Sequence, residues 1–167
     1  MKEYDGIKNM DNEFHTVRGY QLLREKNMTL TPAMEDYLEM VFRSCEEHGY
    51  LRINELAENL NVRASSATKM VQKLGEYGLI KYKKYGIIEL TDTGKELGAF
   101  LLERHNLVEK FLRTIGIEEN LLKETELIEH NISANTQKHM DIFNRFFEAY
   151  PEFARRLNAF VNANLDK

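Results

Sequence analysis

The chain has 167 residues, of which 43% are hydrophobic, enough for one compact domain or two small ones with an apolar core. No apolar run approaches the roughly 20 residues of a membrane-spanning helix, and the N-terminus lacks the apolar segment of a signal peptide, so we expect a soluble, cytoplasmic protein with no membrane partner. The net charge of -4 argues against general coating of nucleic acid, and the single cysteine, Cys45, excludes an internal disulfide or a thiolate-rich metal site.

Two helices are predicted in the first 50 residues. The first is short and amphipathic, and we assign it no role; its apolar stripe is Phe14, Val17, Tyr20 and Leu23. The second begins at Thr31-Pro32, a capping hydroxyl followed by proline, and ends at Gly49. Asp36 and Glu39 stand three residues apart, so they lie on one edge of this second helix.

A helix-turn-helix is predicted next. A short helix over residues 53–60 is followed by a turn and by a second helix over residues 64–74 that is apolar on one face and polar on the other. The second helix of such a motif enters the DNA major groove, where short polar groups reach bases or phosphates and lysines neutralise phosphates. The candidate DNA contacts here are Arg63, Ser65, Ser66, Thr68, Lys69, Gln72 and Lys73.

Two short strands, residues 79–83 and 87–90, are predicted directly after this helix. Apolar and basic residues alternate around a glycine-containing turn, which is typical of a β-hairpin, and a hairpin in this place is the wing of a winged helix. Residues 61–85 contain six basic residues and one acidic residue, which indicates a surface for an anionic partner rather than a plain structural hairpin. The wing residues expected against the DNA backbone are Lys81, Lys83, Lys84 and Tyr85.

The rest of the chain is predicted to be helical. A helix capped by Thr91 runs to about residue 115, and others cover residues 119–130, follow a Ser133 cap and start at Pro151. The last two carry more large apolar residues than one chain of this size buries, so we expect a homodimer interface there. These residues are Met140, Ile142, Phe143, Phe146, Phe147, Phe153, Leu157, Phe160 and Val161.

Carboxylate and imidazole side chains recur at helical spacing in three segments. They are hard and borderline ligands of the sort that hold Mn²⁺, Fe²⁺ or Zn²⁺. The segments contain Asp36 with Glu39, His105 with Glu109, and Glu126 with Glu129 and His130. A dinuclear metalloenzyme would use similar ligands, but the Glu-x-x-His pairs and the His-Glu-x-x-His motif of such enzymes are absent, so we do not expect an enzyme. A winged-helix regulator that senses another signal, with the acidic residues merely solvated, is a third interpretation.

Four separated segments agree in order and spacing with one family. They are residues 31–39 (TPAMEDYLE), residues 65–74 (SSATKMVQKL), Arg104-His105 and Ile128-Glu129-His130. Over residues 31 to about 150 the chain resembles the diphtheria toxin repressor family, most closely its manganese transport regulator branch. The resemblance implies a winged helix-turn-helix followed by a helical domain for metal binding and dimerisation. Ala64 departs from the pattern, because a proline is common at that position.

The resemblance also implies a metal-binding site. Two Mn²⁺ ions per chain would lie between the two domains, held by Asp36, Glu39, His105, Glu126, Glu129 and His130. The iron-sensing branch has methionine in place of Asp36 and cysteine in place of Glu126. Carboxylates favour a harder ion than sulfur does, which suits Mn²⁺, with Fe²⁺ as the alternative. Because the sequence ends near residue 167, we expect no third, SH3-like domain of the kind found in many iron sensors, which again favours the manganese branch.

We therefore expect a mainly α fold with a small β-hairpin wing. The expected parts are an N-terminal extension (residues 1–28), a winged helix-turn-helix DNA-binding domain (29–98) and a helical metal-binding and dimerisation domain (99–167). The expected function is a manganese(II)-activated, sequence-specific repressor that binds a double-stranded DNA operator as a homodimer and controls manganese uptake. An iron(II)-responsive repressor of the same family and a dinuclear metalloenzyme are the alternatives.

Overall fold

The computed structural model describes residues 19–23 and 28–165, which form two compact units divided between Leu102 and Glu103. We call them the winged unit and the helical unit. Residues 19–23 are helical, whereas Phe14 and Val17 of the predicted N-terminal stripe lie outside the described residues. In the described ranges, no helix is both long enough and apolar enough to cross a bilayer.

Helix α1 (Pro32–His48) of the winged unit begins and ends where the sequence predicts. The Thr31 hydroxyl accepts a hydrogen bond from the Met34 N–H at 3.3 Å, and proline occupies the first turn. Gly49 ends the helix in the left-handed conformation, with φ of 73°, and its N–H donates to the Cys45 carbonyl. Glycine adopts this conformation without steric cost, so it stops the helix.

The helix-turn-helix consists of α2 (Ile53–Asn59) and α3 (Ala64–Glu76). The turn between them contains Asn61 at φ of 50°, and the Val62 N–H donates to the Ala57 carbonyl at 2.9 Å. Both helices bury their apolar faces in one core with α1; the buried residues of the pair are Leu56, Ala57, Ala67, Val71 and Leu74. Burial of one face leaves the other face of α3 in solvent.

The wing is part of a three-stranded antiparallel sheet. Its strands are β1 (Leu51–Arg52), β2 (Ile80–Lys83) and β3 (Ile87–Leu90), in the order β1-β3-β2. The predicted hairpin is confirmed as β2 and β3, joined by a single 3-10 turn, Lys84–Gly86. The sequence did not predict β1, which precedes the helix-turn-helix in the chain and pairs with β3. Because β1 follows α1 directly in the chain, this pairing places the wing next to the end of α1.

The helical unit contains the end of α4 (Asp92–Thr114) together with α5 (Leu121–Glu129), α6 (Ala134–Ala149) and α7 (Pro151–Leu165). Ser133 caps α6 as predicted, accepting from the Thr136 N–H at 3.2 Å. Helix α6 packs on α4 through the rings of Phe111 and Phe143, whose centroids are 5.2 Å apart. Several large apolar side chains remain exposed in this unit: Leu122, Leu127, Ile142, Phe146, Phe153 and Phe160.

Candidate metal centre and nucleic-acid interface

The helical unit brings three of the six predicted metal ligands together. His105 lies on α4, Glu129 is the last residue of α5, and His130 caps that helix. His105 Nδ1 is 2.9 Å from Glu129 Oε2, and His130 Nε2 is 3.7 Å from Glu129 Oε1. The two oxygens of one carboxylate are thus each close to a different imidazole.

This cluster is almost fully buried. Glu129 is 2% exposed and His105 is 5% exposed. A buried carboxylate is costly unless a cation or hydrogen-bond donors compensate it, and here an imidazole N–H donates to it. A cation would replace the proton on His105 Nδ1: two ligands about 2.1 Å from one ion in adjacent octahedral positions are roughly 3 Å apart, close to the separation of His105 Nδ1 and Glu129 Oε2. The donor set and its spacing therefore fit a divalent cation.

Two further carboxylates lie on the same helices. Glu126 is on α5 one turn before Glu129 and His130, and its side chain is exposed. Glu109 Oε2 lies 3.9 Å from His105 Nε2, while Oε1 of the same carboxylate is 2.6 Å from Arg113. Glu109 follows His105 by one helical turn, but the resemblance does not place it among the ligands.

Arg104 is a neighbour of this cluster that the ligand prediction missed. It is 3% exposed, and one of its guanidinium nitrogens lies 3.4 Å from His130 Nδ1. A guanidinium can only donate, so His130 Nδ1 accepts, and a neutral ring then carries its proton on Nε2, the nitrogen near Glu129. Arg104 stood within a segment that resembles the family, but its contact with a histidine 26 residues away is not visible in the sequence.

The other two predicted ligands lie on α1 of the winged unit. Asp36 is exposed, and Glu39 follows it by three residues on the same helix edge. Glu39 Oε1 is 2.6 Å from an Arg43 guanidinium nitrogen. Both side chains are carboxylates able to bind a divalent cation.

The recognition helix α3 presents most of its predicted DNA contacts to solvent. The exposed ones, including the residue that precedes the helix, are Arg63, Ser65, Ser66, Lys69, Gln72 and Lys73. Thr68 is half-buried, and its hydroxyl donates to the Ala64 carbonyl at 2.8 Å. The Thr68 hydroxyl hydrogen is therefore used within the helix, and the side chain offers its methyl group and oxygen lone pairs instead.

The wing exposes its predicted contacts Lys81, Lys83, Lys84 and Tyr85. Tyr85 is 90% exposed and has φ of 64°. A Cβ on the following residue, Gly86, would lie only 2.7 Å from Ile53 Cγ2, which favours glycine at that position. The turn leaves the Tyr85 side chain in solvent.

The comparisons with known proteins agree with both parts of this description. Residues 29–88 match the model of the iron dependent repressor N-terminal DNA binding domain, and residues 91–158 match the model of the iron dependent repressor metal binding and dimerisation domain. The chain is 44% identical over 133 residues to the HTH-type transcriptional regulator MntR of Geobacillus thermodenitrificans, which covers 79% of this chain and 92% of that protein. The chain belongs to the iron-dependent repressor family. The regulator of the same name from Bacillus subtilis is 44% identical over 119 residues, covering 71% of this chain and 84% of that one.

Solved structures of this family include a manganese-dependent transcriptional repressor in complex with manganese. It aligns with a TM-score of 0.61 and 30% identity, covering 68% of this chain and 53% of that one, so the match spans about half of that protein. As a member of the iron-dependent repressor family, this chain is a metal-dependent, DNA-binding transcriptional regulator that dimerises and is not an enzyme. The predicted resemblance, fold class and DNA and homodimer partners are confirmed.

Proposed function

We propose that the chain is a manganese(II)-activated repressor that binds operator DNA in the cytoplasm and controls manganese uptake. The observation that carries the choice of metal is the donor set around buried Glu129, which consists of carboxylate and imidazole groups. Such oxygen and nitrogen donors suit Mn²⁺, whereas sulfur donors favour softer ions. The relatives named MntR and the manganese complex at 30% identity support the same choice.

We propose six ligands for two ions per chain: Asp36, Glu39, His105, Glu126, Glu129 and His130. The count of two is supported by Glu129, because its two oxygens are each close to a different histidine. Glu129 would therefore be able to contribute to the binding of both ions. The i, i+3 spacing of Asp36 and Glu39 gives α1 two carboxylates on one edge, which is suited to completing the coordination of both.

The mechanism follows from charge. When bound, Mn²⁺ would supply the positive charge that lets several carboxylates share one small volume. Without it, Asp36 and Glu39 would repel Glu126 and Glu129 if they were brought together. Metal would therefore be needed for the carboxylates of α1 to be held together with those of the helical unit. In the homodimer, that restriction would hold the two recognition helices at the spacing of successive major grooves, about 34 Å.

The proposed DNA interface combines the recognition helix with the wing. Its members are Arg63, Ser65, Ser66, Thr68, Lys69, Gln72, Lys73, Lys81, Lys83, Lys84 and Tyr85. The polar residues near the start of α3 face solvent where a helix in the major groove meets base edges, and the lysines supply phosphate contacts. Thr68 would contribute its methyl group, because its hydroxyl hydrogen is already bonded.

A titration of the metal-free protein with Mn²⁺, monitored through the paramagnetic resonance signal of the free ion, tests the metal assignment. We expect uptake of about two ions per chain at micromolar concentration, with loss of uptake in Asp36→Ala and Glu129→Ala. Glu119→Ala is the matched control, because this exposed carboxylate precedes α5 outside the proposed ligand set, and it should bind as the wild type does. Absence of uptake would rule out the manganese proposal. Activation of DNA binding at a lower concentration of Fe²⁺ than of Mn²⁺ would instead support the iron alternative.

A further inference from the structure

The wing contains an acidic residue that the DNA interface does not explain. Glu89 is on β3, directly opposite Lys81 on β2, and Lys83 is opposite Ile87. Residues that face each other across an antiparallel pair lie on the same side of the sheet, so Glu89 shares a face with both lysines. Lys83 Nζ is 2.6 Å from Glu89 Oε1 and 2.6 Å from Oε2, which means that both carboxylate oxygens hold one ammonium group.

This pair changes the charge that the wing can offer to DNA. Sequence-independent DNA affinity scales with the number of phosphates that a protein neutralises, because each one releases a condensed counterion. Lys83 and Glu89 together have no net charge. Their side chains are 52% and 33% exposed, so water screens the pair and DNA could displace it. If DNA displaced Lys83 from this pair, the Glu89 carboxylate would lack a partner while lying within a Debye length, about 8 Å, of the DNA phosphates, and it would repel them.

We propose that Glu89 limits the affinity of the wing for DNA phosphates by holding Lys83, so that each wing delivers one fewer cation than its sequence contains. Glu89 is therefore a residue that sets the salt dependence and the sequence-independent strength of DNA binding. This inference rests on the proposed contact between wing and DNA backbone. A low sequence-independent affinity serves a metal-activated regulator, because the metal-free form must leave the DNA for the metal to act as a switch.

The test compares Glu89→Gln with the wild type in the affinity of the full chain for a random-sequence duplex between about 50 and 200 mM salt. Releasing Lys83 adds about one phosphate contact per wing, so the slope of log K against log salt should become steeper by about 0.9 per wing. The ratio of the variant's affinity to the wild-type affinity should then be about 3.5-fold larger per wing at about 50 mM salt than at about 200 mM salt. Glu118→Gln removes the same charge from the helical unit and should leave the slope unchanged.

Two further variants separate this inference from the wing contact on which it rests. Lys84 has no ion-pair partner among the described residues, so Lys84→Ala should make the slope shallower by about 0.9 per wing. The double variant Lys83→Ala/Glu89→Ala lacks the lysine that Glu89→Gln is expected to release, so its slope should be shallower than that of Glu89→Gln by about 0.9 per wing. A shallower slope in Lys84→Ala with no change in Glu89→Gln would overturn the role of Glu89 alone. No change in either variant would overturn both that role and the wing contact.

Discussion

Replacement of Glu129 by glutamine is the most direct perturbation of the metal centre. The change keeps the size of the side chain and removes the charge near His105 and His130. Disturbing a residue that only orients a ligand costs about 10- to 100-fold in metal affinity, so losing a buried ligand close to two imidazoles should cost at least 100-fold. At a Mn²⁺ concentration of about 100 times the wild-type Kd, each bound ion stabilises the wild type by about 2.7 kcal/mol, and each ion bound 100-fold more weakly stabilises the variant by about 0.4 kcal/mol.

Thermal unfolding with and without Mn²⁺ measures this difference. For a chain of this size, 1 kcal/mol corresponds to about 2–4 °C, so each bound Mn²⁺ should raise the Tm of the wild type by about 5–11 °C and that of Glu129→Gln by at most about 2 °C. The metal-free Tm of the variant shows whether the substitution has damaged the fold by itself. An undiminished Mn²⁺ shift in Glu129→Gln would refute the assignment of this carboxylate as a ligand.

Three other substitutions test the remaining parts of the molecule. Glu126→Cys should move the metal response toward Fe²⁺ or Co²⁺, measured as metal-dependent DNA binding, and an unchanged preference would show that this position does not set selectivity. Lys69→Ala should weaken DNA binding and make the slope of log K against log salt shallower by about 0.9 per recognition helix, with normal Mn²⁺ uptake. Loss of metal uptake would show that this lysine does more than bind DNA. Phe160 is 69% exposed on α7, and Phe160→Glu should cost about 2–4 kcal/mol over the two protomers if the dimer buries it. Sedimentation should then show dimerisation roughly 30- to 700-fold weaker, and an unaffected dimer would place the interface elsewhere.

The sequence was most informative where local chemistry decides the structure. Thr31, Gly49 and Ser133 mark helix ends because capping depends on a hydroxyl, or on a left-handed backbone, within a few residues. The polar and apolar faces of α3 likewise follow from helical spacing alone. These local signals were enough to predict the helix-turn-helix and its wing.

Features that depend on pairing between distant residues were not predicted. Strand β1 has two residues, too few to show a period, and it exists because Ile87 and Ile88 of β3 pair with it. The contact between Arg104 and His130 joins side chains 26 positions apart and depends on how α4 and α5 pack.

The wing shows a signal that sequence reasoning could have used. Counting outward from the turn pairs Lys81 with Glu89, so the register alone places a carboxylate among the wing lysines. That Glu89 binds Lys83 rather than the residue directly opposite depends on side-chain conformation. The sequence therefore predicts which residues lie on this surface of the wing, but it does not predict which of their charges are paired.

Operator binding with and without metal tests most directly whether manganese switches this chain onto DNA. A duplex selected from random sequences by the Mn²⁺-loaded protein would be titrated with wild-type protein in chelator, in Mn²⁺ and in chelator followed by excess Mn²⁺, with fluorescence anisotropy as the signal. We predict that chelation abolishes specific binding, that Mn²⁺ restores it, and that operator in turn tightens Mn²⁺ binding by the same factor, as linkage requires. Operator affinity that is equal in chelator and in Mn²⁺ would contradict the account.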